Sequence, residues 1–202
     1  IWQLHNHVSY CLYGSKKHLM ETMFQNSSYP FYRFGDFFYL GKISEADWVA
    51  YICERFQKTG KRIAPELAQA ICQVADRYSS YVQQLSWFVW LKTQEEAKAE
   101  DVQFAIDRLL DANEPLFIQQ TEELSSYQMN FLRAIIEGID SGFTQSAVLA
   151  KYRLGTAANI ARLKKSLTAK DLITTTTPKT LAISDPILAL WLKQRVFKTR
   201  CM

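Results

Sequence analysis

"LITTTTPKTLAISDPILALWL", residues 172–192, is the stretch on which the reading of the fold turns. Its threonines and aliphatics flank Pro178-Lys179. β-branched residues suit a pleated surface and Pro punctuates, so the pattern predicts a hairpin over 172–183. Asp185 then stands at a helix cap. Pro186 follows at the first helical position, where a missing N–H leaves no bond unmade. Working back from there, Thr156 caps a predicted helix over 156–169 with Ile160, Leu163 and Leu167 on one face. Gly155 marks a tight turn before it, and Thr144 starts a short helix running to Tyr152. Ser125 with Gln128 forms a capping box ahead of Phe131, Leu132, Ile135 and Ile136, and Gly138 stops that helix.

The order helix, helix, helix, hairpin, helix describes a winged helix-turn-helix over 119–202, with the hairpin as its wing. The 156–169 segment is then the recognition-helix candidate. On it, Asn159 and Arg162 are candidate base readers; Lys165 and the wing residue Lys179 are candidate phosphate contacts. Winged helices also serve as protein-binding modules, so duplex DNA and a protein partner both stay open at this point.

Upstream the rhythm is that of a helical bundle. Ser44 opens "SEAD", a capping pattern with Asp47, followed by Trp48, Val49, Ile52 and Phe56 as an apolar stripe that Gly60 ends. Pro65 starts a second helix with Leu67, Ala68, Ile71, Cys72 and Ala75. "YVQQLSWFVWL", 81–91, is apolar almost all round and is predicted to be buried. "AEDVQFAIDRLLDA", 99–112, is the fourth helix, and Pro115 in "DANEPLF", 111–117, predicts a joint between bundle and winged helix. Before residue 42 the pattern differs. Val8, Tyr10, Leu12 and Tyr13 predict a buried strand that Gly14 and Ser15 end, residues 16–25 a basic helix, and "DFFYLG", 36–41, a second buried strand.

The 202 residues are 48% hydrophobic, enough for one or two cores. No apolar run reaches the roughly 20 residues of a membrane span, and no signal peptide opens the chain, so a cytoplasmic protein that meets no membrane is expected. The chain opens at Ile1, without an initiator Met, almost at once in an apolar run, which suggests that a preceding segment has been lost. Cys11, Cys53, Cys72 and Cys201 contain no C-x-x-C pair. Three of them sit in apolar patterns and are expected to be buried free thiols. His5 and His7 could share a strand face, but no third ligand stands at recognisable spacing, so no metal site is expected. The net charge is +4 and unevenly spread: residues 123–202 carry twelve Lys+Arg against five Asp+Glu, and residues 1–122 twelve against fifteen. The basic C-terminal part could meet a polyanion.

No catalytic constellation is visible. "GSKK", 14–17, is only superficially like the tail of G-x-x-x-x-G-K-[ST], since its first glycine is missing and Ser precedes Lys. Several segments in order, however, resemble the C-terminal part of archaeal-type P-loop ATPases, a family related to the AAA+ and STAND groups. They are "CLYGSKKHLMETMF", "YPFYRFGDFFYLG", "GKRIAPELAQAICQVADRYSSYVQQL", "EPLF" and "ISDPILALWLKQR". They span about 7 to 195, nearly the whole chain, and their order is more specific than any one of them.

The resemblance implies a mainly α chain in three parts: a C-terminal fragment of an α/β nucleotide-binding core at 1–42, a helical lid at 43–118, and the winged helix at 119–202. It implies that Ser15 is the polar tip of the sensor-1 strand, and that Arg33 is a candidate arginine finger toward a neighbouring subunit's nucleotide. Where relatives carry a sensor-2 arginine this chain has Tyr81 and Val82, with Arg77 nearby. The implied function is the lid and winged-helix part of an ATP-hydrolysing switch; a DNA-binding regulator and a protein-binding scaffold are the alternatives. ATP and Mg would belong to the parent protein. Neither is expected to bind these residues alone, because Walker A and Walker B segments do not occur in them. A homo-oligomer or a protein partner is a further expectation.

Overall fold

The computed structural model describes residues 5, 7–14, 17–33, 35–177 and 180–198. Two units make up the chain, Ile1–Gly41 and Lys42–Met202.

The first unit holds one helix, α1 (Lys17–Gln25). Phe24, the one buried residue among those described in this region, meets Phe31 and Phe37 at ring separations of 5.7 and 5.8 Å, and Phe37 stacks on Tyr39. The Tyr39 hydroxyl donates to Glu21 Oε1 over 3.0 Å. The two predicted strands are not observed: 8–13 and 36–41 follow irregular paths. Strands are stabilised by ladder partners and by a covered face, and neither segment has a partner strand among the described residues. Their apolar side chains are accordingly bare, with Tyr13, Phe38 and Leu40 all more than 90% exposed.

The second unit opens with four helices. α2 (Glu45–Lys58) starts where expected: the Ser44 hydroxyl accepts from the Asp47 N–H at 3.1 Å and donates to the Asp47 carboxylate at 2.6 Å. α3 (Pro65–Val74) places Pro65 in its first turn. α4 (Ser79–Lys92) buries Val82, Leu85 and Val89, but it is not buried all round, because Trp87 and Leu91 are more than half exposed. α5 (Ala99–Glu122) runs 24 residues, about 36 Å at 1.5 Å per residue, and passes straight through Pro115. The predicted joint at 111–117 is therefore continuous helix. Pro115 and Asp111 are both exposed, so the Asp111 carbonyl that loses its donor faces water and not the core.

The winged-helix elements follow. α6 (Ser126–Ile136) carries the expected box, with Gln128 N–H on Ser125 Oγ and Ser125 N–H on Gln128 Oε1. Gly138 leaves it at φ +95°, a conformation costly for any residue with a Cβ. α7 (Ser146–Lys151) begins two residues later than the Thr144 reading. α8 (Ala157–Ala169) buries Ile160, Leu163 and Leu167 as read; Thr156 occupies its cap position, but its hydroxyl makes no capping bond. β1 (Ile173–Thr177) and β2 (Thr180–Ile183) pair antiparallel from Ile173↔Ile183 to Thr177↔Thr180, with a bulge between Thr175 and Thr177. The Leu181 N–H bonds the Asp140 carbonyl, tying the wing to the loop after α6. α9 (Pro186–Trp191) is capped by Asp185 Oδ1, which accepts from the Ile187 and Leu188 N–H groups, and a π-helical turn, Leu192–Val196, continues it.

One apolar cluster runs from Trp48 on α2 to Leu192, through Leu109, Leu110 and Phe117 of α5 and Phe131, Leu163 and Ile187 of the winged helix. At about 1.5–3 kcal/mol for each large side chain fully buried, this shared core is the chief source of stability. Of the described cysteines, Cys72 is buried and Cys53 half-buried; Cys11 is exposed, against the sequence reading, because the segment 8–13 that contains it forms no strand in a covered sheet. Burial pushes the Cys72 thiol up to about 11 and raises Cys53 as well.

Candidate functional site

The recognition-helix candidate α8 presents its residues unequally. Asn159 is half-buried: its Nδ2 donates to the Leu154 carbonyl at 3.0 Å, and its Oδ1 accepts from Arg162 Nη2 at 3.3 Å. It stitches the α7–α8 turn together, which uses one of its two amide N–H donors. This turn also needs Gly155, at φ +80°, where an added Cβ would lie 3.4 Å from the Tyr127 ring. Arg162 and Lys165 are exposed, as a polyanion-facing pair requires. Lys164 is half-buried with its ammonium over the Phe143 ring at 5.2 Å, and Lys170 pairs with Glu123. Thr174 and Thr175 are exposed on β1. Lys179 and Ser15 lie outside the described residues. Arg33, exposed and at φ 56°, carries its guanidinium over the Tyr32 ring at 5.2 Å.

A polar pocket of about 550 Å³ between α6 and the end of α7 adds three cations, Arg133, Lys151 and Arg153, around Glu137. Glu137 accepts from Arg133 at 2.8 Å and from the Tyr152 hydroxyl at 3.0 Å. The Arg133 bond, chiefly, holds its carboxyl below the usual range. No group of acidic, His and Cys side chains among the described residues could hold a metal.

Sequence reasoning missed the contact between bundle and winged helix, which is polar and specific. The hydroxyl of Tyr81, the residue standing where the resemblance implies a sensor-2 arginine in relatives, donates to Asp185 Oδ2 at 2.5 Å. Asp185 therefore caps α9 with one oxygen and holds α4 with the other. Burial, then the Asp185 carboxylate, push the Tyr81 hydroxyl pKa well up. Tyr78 donates to the Ser184 carbonyl at 3.0 Å. Across from them, Glu114 of α5 accepts from Trp191 Nε1 at 3.0 Å and from Arg195 at 3.2 Å, and Arg195 also reaches Asp111 at 2.6 Å. Only the aromatic and charged character of these positions was visible in the sequence; their pairing over about 80 to 100 residues of chain was not.

A second concavity, about 450 Å³, lies between α2 and α4 and is walled by Trp48, Tyr51, Trp87 and Trp90. Trp87 and Trp90 stack at 5.1 Å, and Tyr51 meets Trp48 edge-on.

Comparison with known proteins agrees with this architecture. The family described as "Probable winged helix domain" matches residues 115–194, so the match begins inside α5. No curated protein sequence matches the chain. Among solved structures, a Walker-type ATPase of Pyrococcus abyssi superposes with a TM-score of 0.61 at 18% identity, over 84% of this chain and 47% of that one. This chain thus spans about half of that protein's length, and what the two share at this identity is the fold of the matched part.

Proposed function

We propose that these residues are the lid and winged-helix part of an ATP-binding and ATP-hydrolysing switch protein of the archaeal-type, AAA+-like class. Residues 1–42 would be the last piece of its nucleotide-binding core. The observation that carries the reading is the likeness, over most of the chain, to a Walker-type ATPase. The Tyr81–Asp185 and Glu114–Trp191–Arg195 contacts support the switch: a lid fastened to a winged helix carries it along when nucleotide moves the lid. In the parent, Mg·ATP would sit on a phosphate loop outside these residues, Ser15 would watch the γ-phosphate, and Arg33 would act on a nucleotide held by a neighbouring subunit.

The test uses the full-length protein. Ser15→Ala and Arg33→Ala should each lower turnover more than they lower ATP affinity, because both groups act on the transferring phosphate. Turnover untouched by Arg33→Ala removes the finger. Titration calorimetry of residues 1–202 with Mg·ATP should show no heat, since one hydroxyl contributes about 0.5–1.5 kcal/mol where micromolar binding needs about 8.

A second reading has its own observation: Arg162 and Lys165 are exposed on α8, within a region of net +7. In it the winged helix binds duplex DNA mainly through charge. Replacing both residues with Glu should weaken binding well over tenfold at low salt, and added salt should weaken the unaltered chain steeply. Binding indifferent to both would leave the winged helix as a protein-binding module.

A further inference from the structure

The polar pocket beside α6 has no aliphatic residue in its wall. Ser126, Asn130, Arg133 and Glu137 line it from α6 and its C-terminal cap. Their spacings of four, three and four keep them on one face of the helix over about 16 Å. Gln128, about 200° around the helix from Ser126, donates to Ser166 of α8 at 2.9 Å. The face of α6 that lines the pocket is thus not the face that meets the recognition-helix candidate.

Three cations, Arg133, Lys151 and Arg153, stand in this wall against one carboxylate, which leaves the pocket at +2. The carboxylate is spent internally. Glu137 accepts from Arg133 Nε and from the Tyr152 hydroxyl, and lies 3.5 Å from Lys151 Nζ. It splints two cation heads without using them up, because the Nη donors of Arg133 have no acceptor among the described residues. Arg153 is exposed and makes no ion pair or ring contact among the described residues. Asn130 is half-buried, and among the described residues no hydrogen bond occupies its side-chain amide. A concave wall of one sign raises the local concentration of its counter-ion, and the volume, about 550 Å³, falls in the range of small-molecule sites.

We infer that the α6–α7 pocket is a binding site for a phosphate monoester in its dianionic form. A monoester carries a charge of about −2 at neutral pH, equal and opposite to that of the pocket, and presents three acceptor oxygens to the Arg133, Lys151 and Arg153 donors. The Asn130 amide adds a neutral donor beside them. A carboxylate, with one charge and two oxygens, answers only half of that charge. The wall also lacks an open ring face, since Tyr152 is 5% exposed and Lys151 lies over its ring, so nothing in it selects a nucleobase. The assignment is independent of the ATP reading and of the α8 reading, because it uses neither Ser15 and Arg33 nor Arg162 and Lys165. Mg·ATP is a poor substitute, its terminal phosphate being neutralised by the metal.

Four probes test it on the 202-residue chain: glycerol 3-phosphate, a capped phosphoserine peptide, dimethyl phosphate and sulfate. The readout is the pair of Asn130 side-chain amide resonances, identified by their loss in Asn130→Ala, with affinities taken from their saturation. Both monoesters should shift them saturably, with dissociation constants on the order of millimolar or tighter. The tighter of the two shows whether the group arrives on a small molecule or on a protein segment. Dimethyl phosphate, a singly charged diester like the DNA backbone, should bind about tenfold more weakly or worse. Between about pH 7.5 and pH 5 the monoesters, with a second pKa of about 6, should lose several-fold in affinity, while sulfate, a dianion throughout, holds steady. Of the groups facing the pocket, Arg133, Lys151, Arg153 and Tyr152 are of types that titrate far above this window, and Glu137 is held below it. Arg153→Gln should cost the monoesters about tenfold, and Arg162→Gln with Lys165→Gln should leave them unchanged at physiological salt. Arg153 is exposed, an unchanged melting temperature confirms that its variant folds, and the pH profile needs no variant. Unmoved Asn130 resonances, equal affinity for the diester, a sulfate profile that follows the monoesters, or an Arg153→Gln variant that binds them normally would each overturn the assignment.

Discussion

Residues 1–41 and 42–202 are about equally apolar to the eye, yet they use those side chains in opposite ways. In the second region Phe117, Phe131 and Leu132 are wholly buried in a cluster with members on every helix from α2 to α9 except α7, whose Val148 and Leu149 pack against it. In the first, Tyr13, Phe38 and Leu40 are nearly bare. The difference is one of partners. A helix satisfies its own backbone and needs only a surface to lie on, whereas a strand also needs at least one ladder partner before its apolar face can be buried to advantage. Apolar patterning states which side chains seek cover; the rest of the fold has to supply it.

Thiol chemistry gives the widest test of that contrast. Cys11 should be labelled by an aromatic disulfide reagent at close to the rate of a free thiol. Cys72, buried and with its pKa pushed up to about 11, should react on the order of a thousandfold or more slowly, limited by unfolding. Peptide mapping assigns the sites, and comparable rates would mean that the second region opens as readily as the first. Next come core truncations. Phe117→Ala, which removes a ring 5.7 Å from Trp191, should cost about 3–5 kcal/mol in urea unfolding. Leu40→Ala should stay within about 0.5 kcal/mol.

The fastening between bundle and winged helix should be worth less. Asp185→Ala removes a helix cap and orphans the Tyr81 hydroxyl, for an expected loss of about 2 kcal/mol. A double-mutant cycle with Tyr81→Phe then isolates their coupling, and a zero coupling would separate the two parts energetically. The same bond predicts a pH effect. Tyr81 has a raised folded pKa, so its contribution is complete below the ordinary tyrosine value of about 10 and is lost as pH rises beyond it. Denaturation midpoints above that value should fall more gently in Tyr81→Phe. The smallest effect belongs to Glu137. Its pKa is lowered, so its contribution is present above the ordinary carboxylate range and is lost as pH falls through and below it. Glu137→Gln should flatten the acid limb of the stability curve by a fraction of a kcal/mol, since the Arg133 partner is half exposed.

How far the sequence could be read follows the same line. Local signals were legible: the Ser44 and Ser125 caps, Pro65, Pro186 and Asp185, and the buried stripe of α8 all depend on residues within a turn or two of one another. The wing was legible because its two runs are adjacent. Pro115 misled because its missing N–H is a local fact, while its tolerance depends on which face of α5 meets water. The strands at 8–13 and 36–41 misled because their partners would have to come from elsewhere. On the candidate interface, Arg162 and Lys165 stand exposed as read. The inward turn of Asn159 could not be anticipated, since it hangs on the position of the Leu154 carbonyl. Nor could the pairing of Tyr81 with Asp185 be seen before helices far apart in sequence were laid side by side.

The unbroken course of α5 sets a rotational register. Its first half belongs to the bundle and its second to the winged helix, so the azimuth of one is geared to that of the other. One residue added on the exposed turn at Pro115 would swing everything beyond it by about 100° and advance it by about 1.5 Å. Asp111 and Glu114 would then lie out of phase with Arg195 and Trp191, and the recognition-helix candidate would point to a different quarter. Chain length between residues 99 and 122 is therefore as much a part of this protein's specification as the side chains it carries.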